Sequence, residues 1–185
     1  MARVRAGEIQ LGRREWGKGD VTVVFIDGNL ASKDWIELAA PLFPSGVRVI
    51  GIDWRGCGES DRPPPAPDFA NYSMRQHALD MVAALDELRI PFCHLATHST
   101  GGIIAARMLL KQPGRFGRVF ALDPLHPHLV LWGERDGGIA PEDLRTMASA
   151  MPDCRLVTVP GIGHSMNLEL PALYAGYFGA WFGGL

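Results

Sequence analysis

Two kinds of hydrophobic pattern alternate along the chain. Continuous apolar runs, many of them β-branched, predict buried strands at 21–26, 47–52, 92–96, 119–122, 128–132 and 154–159. Between these runs, apolar residues recur every three or four positions, which predicts helices at 33–40, 103–110, 142–151 and from about Pro171 onward. This alternation predicts an α/β fold with a mostly parallel central sheet flanked by helices.

Helix-start and edge signals refine this prediction. Ser73 and Gln76 form a capping-box pattern, and the helix that follows has an apolar face made of Ala78, Met81, Val82, Leu85 and Leu88. Ser32 is suited to cap the helix at 33–40, whose buried face is expected to hold Trp35, Leu38 and Ala39. Pro41 marks the end of that helix. Residues 8–16 are expected to form an edge strand or a hairpin.

Length and composition indicate a single domain over residues 1–185. The 185 residues are 47% hydrophobic and 21% charged, an ordinary mixture for a globular fold. The proline-rich stretch 63–67 is interpreted as a surface loop, because neither flank would bury a core alone. A net charge of −2 without a basic stripe argues against nucleic acid as a partner.

The sequence also bears on the cellular setting. The N-terminal segment has no apolar leader pattern, and no run approaches the ~18 apolar residues of a membrane span. Its three cysteines, Cys57, Cys93 and Cys154, are odd in number and widely spaced, which favours reduced thiols over disulfides. We therefore expect a cytoplasmic protein without a membrane partner.

The segment with the clearest chemical meaning is His98-Ser99-Thr100-Gly101, which joins a predicted strand to a predicted helix. A serine at such a turn projects its hydroxyl above the sheet edge, close to the free N–H groups of the helix N-terminus. Gly101 and Gly102 are small enough for a tight turn. Thr97 stands where a glycine is usual and is expected to crowd it.

A serine hydroxyl needs a base, and His164 is the best candidate. It lies in a glycine-rich loop, residues 160–164, directly after the last predicted strand. Asp136 follows the strand before it and would orient the imidazole, which gives the order Ser, Asp, His. Asp123, after the strand at 119–122, is the alternative acid, and we favour Asp136.

Five segments together resemble the α/β-hydrolase superfamily over nearly the whole chain. They are VVFIDGN at 23–29, DWRGCGES at 53–60, the turn at Ser99, LVLWGERD at 129–136 and PGIGH at 160–164. The resemblance implies a Ser99, Asp136, His164 triad. It also implies an oxyanion hole made by the backbone N–H groups of Thr100 and Asn29. Chemistry of this kind needs no cofactor and no metal.

The chain departs from this family at two places. Asp27 stands where relatives usually carry histidine, so a carboxylate lies close to the expected oxyanion hole. The link at 123–127 is too short for the lid or cap that relatives insert there, because five residues span at most roughly 17 Å. Either the lid is missing, by nature or by engineering, or the local strand order differs. A lidless surface would favour self-association into a homo-oligomer.

The sequence therefore predicts a serine hydrolase that cleaves a small carboxylic ester or lactone through an acyl-enzyme on Ser99. Two alternatives stay open. One is another cofactor-free reaction on the same fold, C–C bond hydrolysis or chemistry with histidine as the base; the other is an inert, lid-deleted scaffold. His98 is expected to be structural, and Asp53 and Arg55 are expected to form an ion pair that supports the loops. His126 and His128 are interpreted as linker residues rather than metal ligands.

Overall fold

The computed structural model describes residues 2–122, 129–138, 140–150 and 155–182. These residues form eight strands: β1 (Ala2–Ala6), β2 (Ile9–Trp16), β3 (Val21–Ile26), β4 (Val47–Ile52), β5 (Cys93–His98), β6 (Phe116–Leu122), β7 (Leu129–Gly133) and β8 (Arg155–Val159). The α-helices of the same residues are α1 (Met74–Glu87), α2 (Gly101–Lys111), α3 (Pro141–Ala150), α4 (Met166–Glu169) and α5 (Pro171–Phe182).

All eight strands belong to one sheet in the order β1-β2-β4-β3-β5-β6-β7-β8. The hairpin of β1 and β2 is antiparallel and joins β4 in antiparallel register, whereas every pairing from β4 through β8 is parallel. The predicted α/β fold with a mostly parallel sheet is confirmed. Residues 8–16, expected to form an edge strand or a hairpin, contain β2, which is one arm of this hairpin, whereas the edge strand is β1.

Helices cover both faces of the sheet, so its central strands are buried on both sides. On one face, α1 and α2 pack on the even-numbered apolar residues of β3 and β4. On the other face, α5 packs its aromatic residues around Phe120 of β6. Two-sided burial explains why these strands appear as continuous apolar runs in the sequence.

The capping signal before α1 is confirmed in part. Ser73 Oγ accepts the backbone N–H of Gln76 at 3.2 Å, as an N-cap does. The Gln76 side chain does not complete a capping box, because its amide donates to Asp80 Oδ1 at 2.9 Å. The helix therefore begins where the sequence predicts. The Gln76 side chain bonds to Asp80 within the helix instead of to the backbone of Ser73.

The single helix predicted at 33–40 is wrong. The structure has two short 3₁₀ helices, Lys33–Ile36 and Ala40–Leu42, and Ser32 caps the first. Leu38, which the helical period places on a buried face, is 59% exposed, while Ala39 is fully buried. A 3₁₀ helix has three residues per turn rather than 3.6, so the expected face shifts. Pro41 lies inside the second 3₁₀ helix rather than after a helix end.

The expected ion pair between Asp53 and Arg55 is also wrong. The buried Lys33 ammonium contacts the carboxylates of Asp53 and Glu59, each at 3.0 Å. Arg55 instead forms a bidentate pair with Asp80 of α1, at 2.7 and 2.9 Å. The side chains of Asp53 and Arg55 point in different directions, so each pairs with a residue that is distant in sequence.

The Lys33 network predicts a large loss of stability when the cation is removed. Burial lowers the pKa of Lys33, but its contacts with the carboxylates outweigh this and raise the pKa above its ordinary value. The Asp53 side chain has no exposed surface. Lys33→Met strands this buried carboxylate, so we expect the free energy of unfolding to fall by about 3–5 kcal/mol in urea titrations.

The control for this experiment is Arg14→Met. Arg14 pairs with Asp34 and Glu37, but its side chain is 44% exposed. Exposed pairs contribute at most about 1 kcal/mol. Equal losses in the two variants would contradict the view that Lys33 neutralises buried charge.

Strands β6 and β7 are parallel neighbours, so a different local strand order is excluded. Leu129 lies opposite Phe120, and Leu131 lies opposite Leu122. The start of β7 at Leu129 is therefore only about two residues, roughly 7 Å, back along the sheet from the end of β6 at Leu122. This distance is much less than a full strand length. The residues of the proposed lid-insertion link, 123–127, lie outside the described residues. No helix within the described ranges is long and apolar enough to cross a bilayer.

Candidate active site

Four loops with chemically active side chains meet at one edge of the sheet. Asp27 follows β3, Ser99 follows β5, Asp136 lies three residues after β7, and His164 lies in the loop after β8. Because these strands are parallel, their carboxyl ends share an edge. Ligands of open α/β sheets bind at this edge.

Ser99 occupies a strained turn between β5 and α2. Its φ of 50° lies in the left-handed region, which is uncommon for a residue with a side chain. The turn is held by the Ser99 N–H, which donates to the Leu122 carbonyl at 3.0 Å. A Cβ on Gly101 would lie 2.2 Å from the Ile26 carbonyl oxygen, so only glycine fits there. Strain of this kind is typical of a nucleophile elbow.

Thr97 lies in the strand that leads into this turn. It is a fully buried residue of β5, paired with Ile26 on one side and Ala121 on the other. The chain turns only at Ser99, two residues later. Thr97 thus belongs to the strand rather than to the turn, and the crowding expected from its side chain stays a prediction.

Asp136 and His164 are joined by a short hydrogen bond. Asp136 Oδ2 lies 2.8 Å from His164 Nδ1. The other carboxylate oxygen, Oδ1, accepts the Gly138 N–H at 2.9 Å. The Asp136 side chain is 4% exposed and that of His164 is 41% exposed. A buried carboxylate thus orients an imidazole that solvent and small molecules can reach.

The loops after β7 and β8 are packed tightly enough to fix this pair. The Arg135 N–H donates to the Ile162 carbonyl at 2.8 Å, which ties the Asp136 loop to the His164 loop. A Cβ on Gly133 would lie 2.2 Å from the Gly163 carbonyl oxygen. Glycine at the end of β7 therefore lets the histidine loop cross close above it.

His98 connects the imidazole of His164 to the serine turn. The rings of His98 and His164 lie 4.8 Å apart, centroid to centroid. On its other side His98 stacks on Trp35 at 5.8 Å. Since His98 directly precedes Ser99, this contact places the Asp136–His164 pair at the serine turn. The predicted structural role of His98 is thus extended to contact with the candidate base.

The turn expected to supply the oxyanion hole packs against the same serine. A Cβ on Gly28 would lie 2.9 Å from Ser99 Cβ. Asn29 is exposed after it, and Thr100 caps the N-terminus of α2. The first N–H groups of a helix have no partner within the helix. The backbone N–H groups that the resemblance implies as donors therefore lie on the two turns that meet at Ser99.

Asp27 lies beneath this turn and is fully buried. Its Oδ1 accepts the Gly28 N–H at 2.7 Å and lies 3.3 Å from His98 Nδ1. Burial raises the pKa of the Asp27 carboxyl, against the opposing effect of His98. The carboxylate thus points to a neighbouring amide and an imidazole. The pairing of Asp27 with His98 is not predicted from the sequence.

The other candidate residues either have an unreactive environment or lie outside the described residues. Cys57 is half-buried, and burial raises the pKa of its thiol, which disfavours a thiolate. Asp123, the alternative acid, lies outside the described residues, as do His126, His128 and Cys154. In the ranges that the structure describes, no group of three His, Cys, Asp or Glu side chains is close enough to hold a metal.

The missed pair had a weak signal in the sequence. Asp27 directly follows the predicted strand at 21–26, and His98 lies two residues after the predicted strand at 92–96. Ile26 pairs with Thr97 in the sheet, so the next residues of both strands lie side by side. Strand order and register were needed to see this, and neither follows from hydrophobic pattern alone.

Comparison with known proteins agrees with this architecture. Residues 21–129, more than half of the chain, match the family model of the alpha/beta hydrolase fold. Fluoroacetate dehalogenase from Burkholderia sp. is 37% identical over 106 residues, which cover 57% of this chain and 34% of that enzyme. The chain thus spans about a third of the length of this relative.

Solved structures match over nearly all of the chain. Carboxylesterase CesB from Bacillus subtilis has a TM-score of 0.86 at 15% identity, covering 100% of this chain and 91% of the esterase. An N-acyl homoserine lactone degrading enzyme has a TM-score of 0.82 at 19% identity, covering 97% of this chain and 100% of that chain. At such identities the likeness shows the fold alone. With the family match, it establishes that this chain belongs to the alpha/beta hydrolase fold family.

Proposed function

We propose that the chain is a serine hydrolase that cleaves a carboxylic ester or lactone through an acyl-enzyme on Ser99. The observation that carries the proposal is the Asp136–His164 hydrogen bond, whose imidazole lies against the residue that precedes Ser99. A buried carboxylate, an accessible imidazole and a strained serine are the three parts of an acyl-transfer triad. We also propose that residues 1–185 act as one domain.

The reaction follows from these positions. Ser99 Oγ attacks the substrate carbonyl while His164 takes its proton, and Asp136 stabilises the resulting imidazolium. The N–H groups of Thr100 and Asn29 hold the oxyanion, and each such donor contributes about a hundred- to a thousandfold in rate. His164 then returns the proton to the leaving alcohol. Water activated by the same imidazole releases the acid and regenerates Ser99.

The substrate class rests on the openness of the site. His164 is 41% exposed, and Leu30, next to the oxyanion turn, is fully exposed. A site this open offers little surface to select an acyl chain, so we expect small, activated esters and lactones to react. Two of the matched structures, a carboxylesterase and a lactone-degrading enzyme, show that this fold can carry such chemistry.

Covalent labelling tests the proposed nucleophile. A fluorophosphonate probe reacts with a serine only when a base activates it. We expect stoichiometric labelling of the wild-type protein at Ser99, located by peptide mass spectrometry, and no labelling of Ser99→Ala. His164→Ala should label far more slowly, because the serine loses its base.

Ser45→Ala is the matched control for this experiment. Ser45 is exposed in the turn before β4, at the opposite edge of the sheet. This variant should label at the wild-type rate. Failure of the folded wild-type protein to label would refute the proposal and favour the inert scaffold.

A second candidate function has one observation in its favour. Asp27 places a carboxyl group at the turn where an oxyanion would form. If it carried a charge there, acyl transfer would be disfavoured, and proton transfer by His164 without a serine adduct would be the better use of the site. Activity that survives Ser99→Ala but not His164→Ala would select this candidate.

A further inference from the structure

The buried pair Asp27–His98 has no role in the reaction described above, although both residues lie next to the candidate active site. Asp27 has no exposed surface, and the His98 side chain is 4% exposed. Ring contact joins His98 to His164 at 4.8 Å. On the other side, the glycine after Asp27 touches the nucleophile turn. The charge of this pair therefore acts at short range on both the base and the oxyanion.

The hydrogen bonds of Asp27 are too few for an ionised carboxylate beside a neutral imidazole. Both of its polar contacts, with the Gly28 N–H and with His98 Nδ1, involve the same oxygen, Oδ1. Within the described residues, neither Asp27 Oδ2 nor His98 Nε2 has a hydrogen-bond partner. A buried charge with half of its acceptor sites empty is costly. Retaining a proton removes that cost.

The groups around the pair do not offset a negative charge. Asp53, in the loop after β4, raises the pKa of Asp27 further, in addition to burial. Burial is the main cause of the raised pKa values of Tyr174 of α5 and of Cys57, so both side chains stay neutral and supply no positive charge. His164 is neutral when it acts as a base. The negative charge on Asp27 can therefore be neutralised only by a proton that Asp27 and His98 share, among the groups named here.

We propose that Asp27 and His98 hold one proton between them and stay uncharged as a pair while the hydrolase works, and that loss of this proton stops the reaction at high pH. The proton lies on the carboxyl group or on the imidazole, and the pair is neutral in either case. When hydroxide removes it, one negative charge remains beneath the turn where the oxyanion forms. These are positioning residues, because neither touches the substrate.

The activity test rests on the proposed function. Wild-type kcat/KM for nitrophenyl acetate should fall on the acid side as His164 is protonated and on the alkaline side as the pair loses its proton. Asp27→Asn keeps the shape of the side chain but has no proton to lose. The alkaline fall of kcat/KM should therefore be absent in this variant. One pH unit above the wild-type midpoint, the wild type retains about a tenth of its plateau kcat/KM, whereas Asp27→Asn should retain nearly all of its own.

Asp80→Asn is the matched control. Asp80 is also buried, but it lies on α1 and pairs with Arg55. Its alkaline limb should coincide with that of the wild type. An unchanged alkaline limb in Asp27→Asn would overturn the proposal, because a structural role for Asp27 predicts no change in pH dependence.

A second measurement needs no turnover. In Ser99→Ala, the ¹³C shift of the Asp27 carboxyl and the ¹⁵N shifts of His98 report where protons lie. At neutral pH we expect either a protonated carboxyl or an imidazolium. An ionised carboxylate beside a neutral imidazole would overturn the proposal. This result is independent of whether Ser99 is the nucleophile, which labelling decides, so the two proposals fail separately.

Discussion

Ser99→Ala and His164→Ala are each expected to lower kcat for nitrophenyl acetate by about 10⁴- to 10⁶-fold. The serine provides the bond to the acyl group, and the imidazole makes that serine reactive, so the loss of either disables both steps. The two substitutions should therefore not add. The double variant is expected to retain the residual rate of the single variants, measured by steady-state kinetics at protein concentrations taken from absorbance.

The residual rates of these variants are to be compared with the rate of the uncatalysed reaction in water. The oxyanion turns remain in both variants, because Gly28 and Gly101 still fit closely at the elbow. A residual rate above that of water is thus expected. Additive losses in the double variant would mean that Ser99 and His164 act in separate steps, contrary to the proposed triad.

Asp136→Asn is expected to lower kcat by about ten-thousandfold. Asp136 Oδ2 lies 2.8 Å from His164 Nδ1, so the carboxylate selects the tautomer whose other nitrogen can accept the serine proton. Asparagine can present its N–H to the imidazole and select the wrong tautomer. The Gly138 N–H, which donates to Oδ1, can still bind the amide oxygen. We therefore expect an unchanged melting temperature, measured by circular dichroism, with the kinetic loss.

Asp123→Asn decides between the two acids named from the sequence. Asp123 lies outside the described residues, whereas the Asp136 contact with His164 is present. We expect Asp123→Asn to keep nearly the full rate. A large loss in that variant, with Asp136→Asn nearly unaffected, would move the role of the acid to Asp123.

Local pattern was enough to predict most of the strands. The strands at 21–26 and 47–52 have in the structure the bounds that their apolar runs predict. Other boundaries moved by one to three residues. Phe92, predicted as the start of a strand, is 51% exposed and precedes β5. Residues at strand ends have few neighbours, so their sequence carries little information about pairing.

The candidate residues Ser99, Asp136 and His164 could be named from the sequence because each follows a core strand and parallel strands end at one edge. The proximity of their side chains could not. The 2.8 Å contact between Asp136 and His164 depends on the close crossing of two loops, which Gly133 permits. Such contacts arise from tertiary packing rather than from local preference.

Buried polar pairs show most clearly the difference between what the sequence determines and what only the tertiary structure determines. Sequence alone determined the fold class, the strand-to-helix turn at Ser99 and the order of the candidate triad, because each depends on neighbours within a few residues along the chain. Only the tertiary structure paired Lys33 with Asp53 and Asp27 with His98. A charge that is buried must find a partner in space, and strand order and register decide which residue that is.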